Sequence, residues 1–207
     1  MNRGPTDDRK VEVLKREVCF QGHFRLVRVT LRHTLHRGGW SGPLVREVFE
    51  RGHAATVLPY DPERDEVVLI EQFRPGALDE PAGAWTLEAV AGIIDGAEEP
   101  EATVRREAME EAGCRLTELV AVGDILASPG CMTETFKVFV GRASTAGIGG
   151  VHGLAGEGED IRVLVVPFDA AMDMLAEGRI RTSHTVIALQ WLALNRAGLR
   201  VRWRGPG

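Results

Sequence analysis

Residues 92–114 read GIIDGAEEPEATVRREAMEEAGC, a loop with two glycines running into a dense set of acids. Pro100 suits the first position of a helix and Gly113 suits a left-handed stop, so the spacing predicts a helix over 100–112. On that helix Glu107 and Glu111 are four residues apart and Glu110 lies three from Glu107, which projects all three from one face. Val104, Ala108 and Met109 are expected near the other side, giving the helix a separate face to bury. Like charges at this spacing repel and weaken a helix. On the glutamates alone, a solvated acidic face and a metal platform are equally good readings. The loop Gly92-Ile-Ile-Asp-Gly96 favours the second, because backbone there can approach a ligand closely. A cluster of hard oxygens suits Mg²⁺, which takes one or two carboxylates and completes its shell with water and phosphate oxygens.

Working outward, Trp85–Ala91 predicts a short strand leading into the loop. Before it come two strands at 53–60 and 66–73, with the turn Asp61-Pro-Glu-Arg-Asp65 between them, and a Pro/Gly/Ala-rich loop at 74–84. Residues 11–50 alternate as strands of an antiparallel meander, with HRGGWSGP at 36–43 as a turn. After the helix, strands are expected at 119–127, 135–141 and 161–166, and helices at 168–178 and 182–197. Residues 143–160 read as a long flexible segment. The expected organisation is a disordered tail at 1–10, a β extension at 11–50, the main domain at 51–200 and a frayed tail at 201–207. The fold class is α/β: a mixed β-sheet sandwiched between helices, preceded by an antiparallel β extension.

The bulk composition narrows the function. Acids exceed bases, 30 to 25, for a formal charge of −5. Such a surface does not favour nucleic acid through a general field. The four tryptophans are too scattered for a stacking platform. Cys19, Cys114 and Cys131 lack metal or disulfide spacing, which suits a reducing compartment. The polar N-terminus and the absence of a long apolar run point to a cytoplasmic protein with no membrane contact. His53 and His184 have no usable metal spacing and are read as structural.

The spacing G-x5-E-x7-R-E-U-x-E-E-x-G-U, with U apolar, resembles the Nudix signature at each fixed position, Cys114 filling the last apolar slot. The resemblance implies a metal-dependent pyrophosphohydrolase. Glu107 and Glu111 are then the main metal ligands, with the carbonyl of Ala91 beside them and Glu110 binding directly or through water. Arg106 orients the glutamates and Glu98 braces Arg106. Further stretches are similar to the bacterial cytosolic ADP-ribose pyrophosphatases: Glu50-Arg-Gly-His-Ala-Ala55, Glu71-Gln-Phe-Arg74, Ala127-Ser-Pro-Gly130, Gly158-Glu-Asp-Ile161 and Val186-Ile-Ala-Leu-Gln-Trp191. Pro129 stands sixteen residues after Gly113, where that subfamily carries a marker proline.

That resemblance implies hydrolysis of ADP-ribose to AMP and ribose 5-phosphate with two or three Mg²⁺, Mn²⁺ being an alternative. It also implies a homodimer that exchanges the extension at 11–50. His23 and Phe24 would stack near the adenine from the partner chain, although position 23 departs from the aromatic residue usual there. Arg46, Glu47, Arg51 and Arg74 would contact base, ribose or diphosphate, and Ile93 joins the substrate contacts. Ser128 and Glu134 would line the terminal ribose. The segment Thr145–Asp160 is either an exposed acidic linker or a lid that brings a carboxylate to the metals. As a lid it carries Glu157 as general base and Glu159 as a further metal ligand. Two alternatives stand beside this reading: hydrolysis of another nucleoside diphosphate sugar or NADH, and a non-enzymatic ADP-ribose sensor.

Overall fold

The computed structural model describes residues 9–154, 156 and 158–204. The chain divides into two compact units: residues up to Gly52 with Leu126–Glu134, and His53–Ile125 with the remainder.

The smaller unit is built on the three-stranded antiparallel sheet β1 (Val11–Gln21), β2 (Arg25–His33) and β3 (Leu44–Glu50), in that order. Val27 and Val29 on β2 are buried. The alternate register of β1 is interrupted twice, between Val13 and Lys15 and between Val18 and Phe20. Residues 126–134 run beside β3. The Phe49 N–H donates to the Cys131 carbonyl at 2.8 Å, and the Thr133 N–H donates to the Phe49 carbonyl at 3.1 Å.

The larger unit holds an eight-stranded sheet. Its strands are β4 (Ala54–Asp61), β5 (Glu66–Phe73), β6 (Trp85–Glu88), β7 (Val90–Ile93), β8 (Glu118–Leu126), β9 (Thr135–Arg142), β10 (Gly150–His152) and β11 (Ile161–Pro167). The order is β10-β11-β5-β4-β9-β8. β4 and β9 are parallel, and the pairs β4–β5 and β5–β11 are antiparallel. β4 reads AATVLPYD and is buried along its whole length, as a strand covered on both faces must be. β4 and β5 pair only at Tyr60–Val67 and Asp61–Glu66, then part. The gap is filled by β6, which pairs with β5, and β7, which pairs with β4. The expected single strand over 85–91 is therefore two strands that change partner at Ala89.

Helix α1 (Pro100–Ala112) covers one face of this sheet, packing Val104, Ala108 and Ala112 onto Val57, Val68, Ile70 and Val90. On the other face α2 (Phe168–Ala176) and α3 (Ser183–Arg204) enclose Leu58, Tyr60, Leu69 and Val140. The mixed sheet between helices agrees with the expected fold class.

Three expectations need correction. The last helix does not stop at 197; it runs to Arg204, because Leu199 and Trp203 continue its apolar stripe into the core. Trp203 is 1% exposed, so the turn at 201–204 is not frayed; residues 205–207 lie outside the described residues. Trp203→Ala should destabilise the fold by about 3–5 kcal/mol, measured by denaturant unfolding. Met109 is half exposed rather than packed: it lies roughly 140° around the helix from Val104, off the buried stripe. The segment 143–160 is not a uniformly flexible linker either, since β10 pairs with the start of β11 from Gly150–Val163 to His152–Ile161. No helix among the described residues is long and apolar enough to cross a membrane.

Candidate active site

The acid-rich helix starts and stops where its sequence directs. Pro100 occupies the first turn, and Gly113, at φ 57°, closes the last. The Cys114 N–H returns to the Ala108 carbonyl at 2.8 Å and the Cys114 side chain is buried. Glu111 lies seven residues after Val104 and so falls on the packed stripe itself, at 3% exposure. The acidic and apolar faces are thus not separate, as the sequence suggested; one carboxylate is carried into the core beside β7.

There the Ala91 N–H donates to Glu111 Oε2 at 3.1 Å. Burial pushes the Glu111 carboxyl up to about 8; the Ala91 bond opposes this, while the neighbouring charges of Glu107 and Glu159 reinforce it. Burial also raises Glu107, against the pull of Arg106. The next residue on β7 explains the first glycine of the loop. A Cβ at Gly92 would stand 1.8 Å from Glu107 Oε1, so only glycine lets that carboxylate lie against the strand.

Arg106 gathers three acids. Its Nη1 donates to Glu107 Oε1 at 2.7 Å and to Glu110 Oε2 at 3.1 Å, and its Nη2 donates to Glu98 Oε2 at 3.0 Å. Glu98 also accepts from Thr103 Oγ1 at 2.9 Å. Its Arg106 hydrogen bond, first among these, lowers the Glu98 carboxyl, and the Glu98 bond likewise leads in raising Arg106.

The segment after β10 returns to this helix. The Gly153 N–H donates to the Glu110 carbonyl at 3.3 Å, and the Leu154 N–H donates to Glu159 Oε2 at 2.9 Å. Gly153 has φ 106°, and a Cβ there would meet Glu159 Cβ at 2.7 Å. The neck of the segment is closed by these contacts, and the Glu159 charge reaches Glu107, Glu111 and Arg74. Glu157 lies outside the described residues.

Arg74 follows β5. Its Nε donates to Glu88 Oε1 at 3.2 Å and its Nη2 to Glu88 Oε2 at 2.8 Å. Burial would raise the Glu88 carboxyl, yet the Arg74 hydrogen bond and charge lower it below its usual value. The sequence reading missed Glu88; the available signal was a lone charge between Leu87 and Ala89 in an apolar run. Ile93 ends β7, paired with Ala54.

In the smaller unit, the His23 and Phe24 rings meet edge-on at 4.5 Å, and Phe24 meets Phe49 at 5.4 Å. Arg51 lies 5.5 Å over Phe24 and pairs at 2.6 Å with Glu134, which is buried. Arg46 and Glu47 are exposed on β3; Arg46 donates to the Val45 carbonyl, and Glu47 pairs with Arg28 at 3.2 Å. Ser128 Oγ stands 3.5 Å from Cys131 Sγ.

Among the described residues, no three carboxylate, histidine or cysteine side chains form a ready cation cage. Arg106 instead occupies oxygens of Glu107 and Glu110. The donor set still fits a hard divalent ion, which needs only one or two carboxylates and keeps water and phosphate in its shell. A buried carboxylate raised to about 8 beside two further acids is a site short of positive charge.

The NUDIX domain model matches residues 50–197, and the chain belongs to the Nudix family, whose hydrolases generally use divalent metal ions. It is 47% identical over 193 residues to the ADP-ribose pyrophosphatase of Escherichia coli strain K12, covering 93% of this chain and 92% of that one. Identity to the Haemophilus influenzae ADP-ribose pyrophosphatase is 40%, covering 94% and 91%. Identity to the GDP-mannose pyrophosphatase of Cronobacter sakazakii is 37%, covering 89% and 95%. A crystal structure of an ADP compounds hydrolase superposes with a TM-score of 0.71 over 93% of this chain and 97% of that one, at 21% identity. That likeness carries the fold.

Proposed function

We propose that this Nudix chain is an ADP-ribose pyrophosphatase, hydrolysing ADP-ribose to AMP and ribose 5-phosphate. The observation that carries the reading is the buried Glu111 beside Ala91, Gly92 and Glu107, in a chain 47% identical to an ADP-ribose pyrophosphatase. Glu107, Glu111 and the Ala91 carbonyl hold Mg²⁺, with Glu110 and Glu159 completing a set for two or three ions; Mn²⁺ is an alternative. Bound there, the metal supplies charge neutralisation for the diphosphate and acidifies water. Arg106 keeps Glu107 and Glu110 in place. Glu157 takes the proton of the attacking water. Arg46, Glu47, Arg51, Arg74 and Ile93 contact the substrate, Arg74 through the side of its guanidinium that Glu88 does not take. Ser128 and Glu134 serve the terminal ribose.

The same proposal includes a cytoplasmic homodimer, with residues 11–50 exchanged and His23 and Phe24 serving adenine from the partner. It keeps residues 51–200 as the catalytic domain. The GDP-mannose pyrophosphatase relative, at 37% identity, keeps a second substrate in view. Comparing kcat/KM for ADP-ribose, ADP-mannose, GDP-mannose, NADH and diadenosine polyphosphates tests the choice. ADP-ribose should lead by at least about tenfold; a lead for GDP-mannose would overturn the assignment.

A further inference from the structure

Glu88 has no part in the signature or in the proposed ligand set, yet it is among the most buried charges of the described residues, at 1% exposure. It ends β6, where β4 and β5 have parted. Both of its oxygens are engaged. Oε1 accepts from Thr86 Oγ1 at 2.5 Å and from Arg74 Nε at 3.2 Å; Oε2 accepts from Arg74 Nη2 at 2.8 Å. Behind it, His184 Nε2 stands 3.8 Å from Oε2 and has no hydrogen-bond partner among the described residues. The next residue fixes the strand: the Ala89 N–H donates to Thr185 Oγ1 at 2.8 Å, and Thr182 Oγ1 donates to the same oxygen at 2.8 Å. Glu88 therefore rises from a floor tied to the start of α3.

A buried carboxylate is costly unless its partner is held well. Here the partner is an arginine on the loop after β5, whose charge is felt by Glu111 and Glu159. The pairing uses Nε and Nη2 of the fork, and Nη1 makes none of these bonds. A free arginine side chain is rich in rotamers, and a clamp that fixes it before substrate arrives improves binding without adding a contact. Simple core filling would not need a charge at this position, nor a threonine hydroxyl to steer it.

We propose that Glu88, seated on Thr86, is a positioning residue that aims the Arg74 guanidinium at the diphosphate of the substrate. The proposal rests on the ADP-ribose reading given above. Its test is a double-mutant cycle in steady-state hydrolysis of ADP-ribose with Mg²⁺, comparing wild type, Glu88→Gln, Arg74→Ala and the double variant. Glu88→Gln should lower kcat/KM about 10- to 100-fold, chiefly through KM. In the Arg74→Ala background the same change should cost less than about twofold, because nothing remains to aim. Equal losses in both backgrounds, or no loss in the wild-type background, would overturn the clamp. Thr86→Val, which removes one bond to Glu88, carries the same cycle should Glu88→Gln fail to fold; it too must lose kcat/KM only where Arg74 is present. Wild-type protein inert towards ADP-ribose would fail the substrate reading instead, so the two failures are distinguishable.

Discussion

Glu111→Gln should stop catalysis and stabilise the metal-free protein in a single change. Turnover of ADP-ribose is expected to fall by at least about 10²-fold, because the substitution removes the charge from the most buried of the proposed metal ligands while keeping its shape. The Ala91 N–H can still donate to the amide oxygen, so the fold has no reason to move. Stability follows from proton linkage. The folded-state pKa of Glu111, about 8, lies above its ordinary 4.5, so between these values the folded chain holds a proton that the unfolded chain has lost. The favourable state is complete below 4.5, and stability falls as pH rises towards 8, by at most about 1.4 kcal/mol per pH unit. Glu107, also raised, acts in the same direction. His184, depressed by burial, gives the opposite slope below about 6.5, so the clean window is pH 6.5–8. In that window wild type without metal should lose stability with rising pH. Glu111→Gln should flatten most of the slope and be more stable by about 1–3 kcal/mol at the upper end. Urea unfolding at several pH values in EDTA reads both effects; a variant with the wild-type slope refutes the burial of that charge.

The second large effect comes from one methyl group. Gly92→Ala places a Cβ 1.8 Å from Glu107 Oε1 and 2.2 Å from its carboxyl carbon. The clash falls on the end of a flexible side chain, so the fold yields cheaply, but the carboxylate must leave β7. Turnover should fall by at least about 10²-fold, with the unfolding midpoint changed little. An active Gly92→Ala enzyme would mean that Glu107 does not work from the position the structure gives it.

Much of this was legible in the chain. Helix α1 begins and ends at Pro100 and Gly113 because a fixed φ and a left-handed stop are local properties. β4, expected at 53–60, lies at Ala54–Asp61. The errors share a cause: they concern what a side chain meets across the fold. Periodicity placed Glu111 with the other acids, but its seven-residue offset from Val104 puts it under β7. The last turn of α3 looked frayed by its arginines, while Trp203 anchors it against Tyr60. Arg74 keeps its reading as a substrate contact; what went unseen is its buried partner Glu88, fourteen residues away on a strand whose partner depends on β4 and β5 parting. No local pattern announces that pair.

Incubation of the protein with ADP-ribose, followed by chromatography for AMP and ribose 5-phosphate, tests the assignment most directly. With Mg²⁺ the two products should appear in equal amounts, and chelation by EDTA should abolish both. Tight binding of ADP-ribose without turnover in Mg²⁺, or turnover that persists in EDTA, would contradict it.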